Sequence, residues 1–295
     1  MNKHKAPLWF QLGLALMFLL VIAFFSGLGE DNGSIQQFKN DLRMITMLKV
    51  MQAVAVFFVF ILPVILFSIV LRKEKMKFLN LGRLPKASHF FIGLLICIVA
   101  LPLVSGTSVI NEQMHLPASM SGVESWMRMK EKAAGDTIAL FFMDKSTSGL
   151  IINLVVVAFM AGLSEEIFFR GLIQRLFMDN KVNLHVSVWV TAILFSAIHL
   201  QFFGFIPRML LGAVLGYLYA YTNNLWVPIL AHTINNAFAV VMVFITGEIT
   251  DDPLSKNEQA VGWPLILLST LLVIGMVLFL FKRRDKEETS IIASP

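Results

Sequence analysis

The chain of 295 residues is 57% hydrophobic and 15% charged, with a mean hydropathy of +0.76, a composition that excludes an ordinary soluble domain and points to a multi-spanning membrane protein. Its net charge of +5 is small, and the basic residues fall between apolar runs, which makes them a topology signal and excludes a nucleic-acid footprint. Cys97 is the only cysteine, so neither an internal disulfide nor a cysteine metal cluster can form.

In chain order, runs of the roughly 20 apolar residues that a membrane-crossing helix needs occur at 8–28, 51–71, 89–110 and 263–281. Four more, with polar interruptions, lie at 148–177, 186–203, 207–222 and 225–247. The expected fold is all-α, a polytopic transmembrane helix bundle of eight spans. The first run follows Lys3 and Lys5, but it is longer than the apolar core of a signal peptide and carries no small-residue cleavage site, so it reads as a retained anchor. The N-terminus, the loop 72-RKEKMKFLNLGRLPK-86, the segment from Arg170 to Lys181 and the tail 282-KRRDK-286 are basic. Eight spans put all of them on one side, which the positive-inside rule makes the cytoplasm, with both termini there. Residues 111–147 then face outward. Within them 126-WMRMKEKAAGDTIALFFM-143 is partly amphipathic, as suits either a helix along the membrane surface or an ordinary connector. With no internal repeat, the chain divides into N-terminal helices and loops (1–147), a polar-lined core (148–248), and a last helix with a basic tail (249–295).

The core holds nearly every unusual residue. An ionised side chain at membrane depth costs about 2.5–3.5 kcal/mol on insertion scales, so it persists when paired or when it lines a cavity. In 164-SEEIFFRG-171, Glu166 and Arg170 are four apart with the acid first, the favourable helical ion-pair order. Glu165 points about 100° away, toward a cavity as the working carboxylate. Two further segments carry candidates to meet it. In 195-FSAIH-199 and 232-HTINN-236 the i,i+4 spacing puts Phe195 beside His199 and His232 beside Asn236. A carboxylate with a histidine activates water as a general base, and a second histidine with an amide donates to a developing oxyanion, which together amount to peptide-bond hydrolysis. Glu165, His199 and His232 also make a His2Glu zinc set with one open position, although the HExxH spacing is absent from 199-HLQFF-203 and 232-HTINN-236. Ser164 and Ser196 lack the glycine-rich context of a nucleophile.

Three motifs in order on successive spans, EExxxR (Glu165, Glu166, Arg170), FxxxH (Phe195, His199) and HxxxN (His232, Asn236), resemble the CPBP (Abi) family of intramembrane proteases. That family includes the type II CAAX prenyl endopeptidases and bacterial homologues linked to bacteriocin processing and self-immunity. The resemblance covers about 160–240. It implies a multi-pass endopeptidase of the cell membrane in which Glu165 and His199 activate water, His232 and Asn236 stabilise the oxyanion, and Glu166 and Arg170 are supporting residues. The implied partner is a membrane-associated peptide or a lipidated, CAAX-type protein, and the implied cofactor, if a metal is used, is zinc. Two other classes stand beside it: a non-enzymatic bacteriocin-immunity or scaffold protein, and a transporter or proton relay. The last predicts an inverted repeat and paired half-helices, which the sequence lacks.

Smaller features complete the reading. Gly212 and Gly216 form a small-xxx-small pair suited to close helix packing. Asn223 or Asn224 caps the helix that follows, Trp226 sits at the interface, and Pro228 falls in the first turn. At 1.5 Å per residue His232 lies about 10 Å, and His199 about 20 Å, from the same boundary. For them to meet, the 178–188 connector dips into the membrane or the His199 span tilts strongly, with 201-QFFGFIPR-208 breaking the helix.

Overall fold

The computed structural model describes residues 41–69, 81–247 and 262–293, with Gly13 and Leu79, and side chains as far as Lys282. The first apolar run, the N-terminus and most of the basic loop 72–86 lie outside the described residues. Among those described there are helices and turns but no strand, and the all-α expectation holds.

The main helices are α1 (Leu42–Phe67), α2 (Ala87–Glu112), α3 (Ser121–Phe141), α4 (Thr147–Asp179), α5 (Leu184–Ala197), α6 (Phe205–Thr222), α7 (Trp226–Thr246) and α8 (Trp263–Ala293). Their ends follow local chemistry. Asp41 accepts from Arg43 N and Met44 N, Ser146 from Gly149 N, and Asn183 from His185 N and Val186 N, satisfying amide donors that a helix start leaves open. Asn223 ends α6 and Gly247 ends α7 in the left-handed region, at φ 45° and 69°, where Asn and Gly are tolerated. Asn224, not Asn223, caps α7: its Oδ1 accepts from Trp226 N at 2.9 Å.

Among the described residues, five helices are long and apolar enough to cross a membrane: α1, α2, α4, α7 and α8 through Lys282. The most apolar window of α8 buries only 17% of its residues inside the protein; the apolar remainder is what lipid would contact. Seven of the eight expected spans correspond to described helices, α1, α2 and α4 to α8, with shifted bounds, and the first lies outside the described residues. α1 begins at Leu42, nine residues before the expected start at 51. α5 stops at Ala197 and has 14 residues, about 21 Å of helix, short of a bilayer core of about 30 Å.

α2 and α8 lock together at a proline. Pro102 lies inside α2, and one turn of its ladder is opened by Ser269 of α8, whose Oγ donates to Val99 O at 2.5 Å and accepts from Leu103 N at 3.2 Å. A hydroxyl inserted in this way meets backbone groups that lipid cannot. Near the site, buried Phe60, Phe168, Phe169 and Phe195 stack edge to face or tilted, with centroids 5.2–6.2 Å apart. Each such pair adds about 0.5–1.5 kcal/mol beyond its buried area, and the row leads from α1 to the polar core.

The described basic segments share one end of the bundle. Trp226 Nε1 donates to Leu81 O and Asn224 Nδ2 to Arg83 O. At that end the rings of His185 and Tyr217 meet Phe281, next to Lys282. Trp226 is therefore bound to the 81–83 loop.

Candidate active site

α4 carries the acidic motif on a helix that is not uniform. Its Leu154–Met160 and Phe169–Gln174 stretches wind as π-helix, the second containing Arg170; such widened turns concentrate at functional sites. Glu166 and Arg170 are wholly buried, with Arg170 Nη1 donating to Glu166 Oε1 at 2.6 Å. The pairing read from the i,i+4 spacing is present. The same oxygen also accepts from His232 Nδ1 on α7 at 2.8 Å, a contact the sequence reading did not contain. Glu165, with a side chain 13% exposed, faces the other ring nitrogen: its Oε2 lies 3.9 Å from His232 Nε2.

These bonds assign the tautomers. A backbone carbonyl can only accept, so His199 Nδ1, 2.8 Å from Phe195 O, carries a proton. His232 Nδ1, against the Glu166 carboxylate, carries one as well. In the neutral rings both Nε2 atoms then present lone pairs, the state of a general base or a ligand whose orientation is fixed by its other nitrogen.

The two histidines meet through a third ring and not directly. Phe195 packs edge-on against His199 at 5.2 Å and against His232 at 5.8 Å between centroids. The relative levels of the helices that carry the two histidines follow from their packing register. Val188 packs at Gly216 and Ala192 at Gly212, an antiparallel register that sets Leu184 at about the level of Ala220; α5 thus starts where α6 ends, without a dipping connector. Val227 and Leu218 both flank Gly93, so α7 begins about a turn deeper than α6 ends. His199 lies beyond the end of α5, where Leu200 adopts a left-handed φ of 53° and the imidazole folds back toward Phe195.

Not every candidate converges. Asn236 lies one turn beyond His232, with Asn235 Nδ2 3.5 Å from its Oδ1, and it makes no hydrogen bond to Glu165, His199 or His232. The donor types of the expected zinc set are right, two imidazole Nε2 lone pairs and a carboxylate. As placed, however, no group of three His, Cys, Asp or Glu side chains among the described residues could hold a metal ion, and no step below passes through one.

Several residues at the site had not been singled out. Gln174, wholly buried, donates from Nε2 to Gly216 O at 2.9 Å, one turn beyond Arg170 Nη2 donating to Gly212 O at 2.7 Å. Gly212 and Gly216 are therefore close-packing residues, as read, and also bare carbonyls that two α4 side chains grip. The continuation EExxxRxxxQ was the signal for Gln174. Gly162 touches α7: a Cβ there would lie 2.8 Å from Thr233 Oγ1 and 3.0 Å from Thr233 N. The turn after His199 is clamped from outside the core. Asn111 of α2 binds Phe202 O at 3.0 Å and Ile206 N at 2.7 Å, Glu131 of α3 accepts from Phe203 N at 3.2 Å, and Trp126 stacks on Phe202. The partly amphipathic segment is thus a helix whose inner side covers this turn.

Residues 147–238 match the family model of type II CAAX prenyl endopeptidase Rce1-like proteins. Over these residues the chain is similar to that family. The match contains all three motifs, supports the resemblance drawn from them, and with the five apolar helices makes the chain a multi-pass membrane protein. Over 100 residues it is 30% identical to "Uncharacterized protein YpbD" of Bacillus subtilis (strain 168), covering 32% of this chain and 46% of that protein. Over 89 residues it is 29% identical to "Putative membrane peptidase YdiL" of the same strain, covering 30% of this chain and 36% of that protein. The matches span less than half the length of these curated relatives. No solved structure matches significantly. The family points to a membrane endopeptidase.

Proposed function

We propose that this protein is an intramembrane endopeptidase that hydrolyses a peptide bond in a membrane-associated or prenylated, CAAX-type precursor. The observation that carries the reading is the division of labour around His232. Buried Glu166, held by Arg170, takes Nδ1, which leaves Nε2 turned toward the Glu165 carboxylate 3.9 Å away. A buried ion pair serving only packing would not need a histidine aimed at a second, partly exposed acid.

In the proposed reaction a water held near Glu165 gives up a proton to the carboxylate, with His199 Nε2 as the second acceptor, while its oxygen bonds to the peptide carbonyl carbon. The carbonyl electron pair moves to oxygen. On collapse the C–N bond breaks and the proton passes to the leaving amine, giving a carboxylic acid and a free amino terminus. His232 in its cationic form and Asn236 are the oxyanion donors that the motifs imply; both sit on α7, one turn apart.

The test uses purified full-length protein in liposomes with a farnesylated CAAX peptide and with candidate bacteriocin or pheromone precursors. Wild type should cleave at least one of them, while Glu165→Gln, His199→Ala and His232→Ala should not. Four proteins that complement a cellular phenotype equally well without cleaving anything would point instead to the immunity or scaffold role.

A further inference from the structure

The hydrogen bonds between α4 and α6 form a ladder with a constant offset. Gln174 meets Gly216 and Arg170 meets Gly212, each pair one helical turn from the next and running in the same direction. Stepping both helices back one more turn sets Glu166 level with Arg208. Arg208 thus occupies the row of α6 that faces α4, at the level of the two motif glutamates and at the end nearest His199. It lies within electrostatic reach of both the Glu165 carboxylate and the His199 imidazole.

Its head group is fixed in place. Nη2 donates to Gln201 Oε1 at 2.6 Å and Nη1 to Gln201 O at 3.4 Å, within the turn that begins at His199. Gly204 leaves the guanidinium its room: a Cβ there would lie 3.1 Å from Nη2. The turn is itself braced by Asn111 and Glu131, so the guanidinium plane is preorganised, a property that oxyanion donors need.

The chemistry of the reaction calls for such a group. In its neutral form His232 has committed its Nδ1 proton to Glu166 and shows an acceptor at Nε2, and the Asn236 amide lies a turn farther along α7. Arginine is always charged and presents only donors. We propose that Arg208 is a further catalytic residue, whose guanidinium donates to the oxyanion that forms on the substrate carbonyl when water adds at Glu165. This inference rests on the peptidase reading above.

The experiment measures kcat and KM on the farnesylated CAAX peptide for wild type, Arg208→Gln, Arg208→Lys and Arg208→Ala, alongside thermal unfolding of each. The expected result is a fall in kcat of about 10²–10³ for Arg208→Gln, the usual loss for one oxyanion donor, with KM within a factor of about three. Arg208→Lys should keep an intermediate rate. Guanidinium ion at tens of millimolar should restore part of the rate of Arg208→Ala and none of that of Glu165→Gln, which a residue that merely pins the turn would not show. A folded Arg208→Gln as fast as wild type, or an Arg208→Ala that guanidinium leaves unrescued, overturns the assignment. A wild type that cleaves none of the test substrates overturns the peptidase reading and this one with it.

Discussion

Glu166 Oε1 accepts from His232 Nδ1 at 2.8 Å while taking Arg170 Nη1 at 2.6 Å, so one buried oxygen joins α4 to α7 and fixes which nitrogen of His232 faces Glu165. Glu166 Oε2 and Arg170 Nε have no hydrogen-bond partner among the described residues. The cluster is therefore held by few bonds, each of which matters: in a low-dielectric interior the loss of one partner leaves the rest uncompensated.

The two adjacent glutamates should consequently fail in different ways. Glu166→Gln breaks a wholly buried pair, and removing one partner of such a pair costs about 3–5 kcal/mol; unfolding in a mild detergent should shift accordingly, with activity lost alongside. Glu165→Gln should leave the unfolding midpoint almost unchanged and lower kcat by about 10²–10⁴, the share of a positioned general base. A Glu165→Gln protein as unstable as Glu166→Gln would contradict the division of roles.

Much of this could be read from the sequence, and the reasons for the rest are physical. Glu166 and Arg170 were legible because i,i+4 spacing is a local rule. The bond from Glu166 to His232 was not, because it depends on how α4 crosses α7, 66 residues later in the chain. The sequence puts the break in the helix at 201–208, but α5 ends a few residues earlier, at Ala197, because Asn111, Glu131 and a left-handed Leu200 hold a turn there. The π-helical turns around Arg170 have no signature in composition or period. For Asn236 the spacing gives the position one turn beyond His232, but the partners it meets depend on how α7 packs, which spacing does not encode.

The clamp on the turn after His199 gives a prediction about a residue far from the motifs. Asn111 serves both Phe202 O and Ile206 N, so Asn111→Ala takes the acceptor from Ile206 N, at about 1–3 kcal/mol for a buried group left unpaired, while Phe202 O keeps its bond from Phe205 N. Amide exchange should rise in residues 200–206 while α4 stays protected. A shift of about 1 Å in His199 would lower kcat by about 10²-fold. Uniform exchange changes across the protein would argue against a local clamp.

At the start of α3 the pH response has a definite sign. Hydrogen bonds from His115 and Arg128, with one from Leu116 N, hold the Glu124 carboxyl down at about 2. Its folded value lies below the ordinary carboxylate value of about 4.3, so the unfolded chain binds more protons in between. The stabilisation is full above about pH 4.5 and is lost as the pH falls toward 2. Protection of the first turns of α3 should decline over that window and should become flat in Glu124→Gln. Added salt should weaken the effect, since His115 and Arg128 are exposed.

The crossing of α4 and α7 depends on one missing methyl group. Gly162 lies one turn before Glu165 and Glu166, and a Cβ there would come within 2.8 Å of Thr233 Oγ1 and 3.0 Å of Thr233 N, beside His232. Backbone cannot yield as a flexible side chain does, so Gly162→Ala must push the helices apart. Overpacking of this kind costs about 1–3 kcal/mol, and the displacement falls on the 2.8 Å bond between Glu166 and His232. Intrinsic preference pulls the other way, because alanine within a helix is favoured over glycine by about 0.5–1 kcal/mol. Gly135 of α3, with nothing among the described residues within 4 Å of its Cβ position, isolates that term. Gly135→Ala should raise stability slightly and leave activity unchanged. Gly162→Ala should lower stability and, if the displacement approaches 1 Å, lower kcat by about 10²-fold. If Gly162→Ala is as stable and active as Gly135→Ala, the close approach of α4 to α7 is not what positions His232.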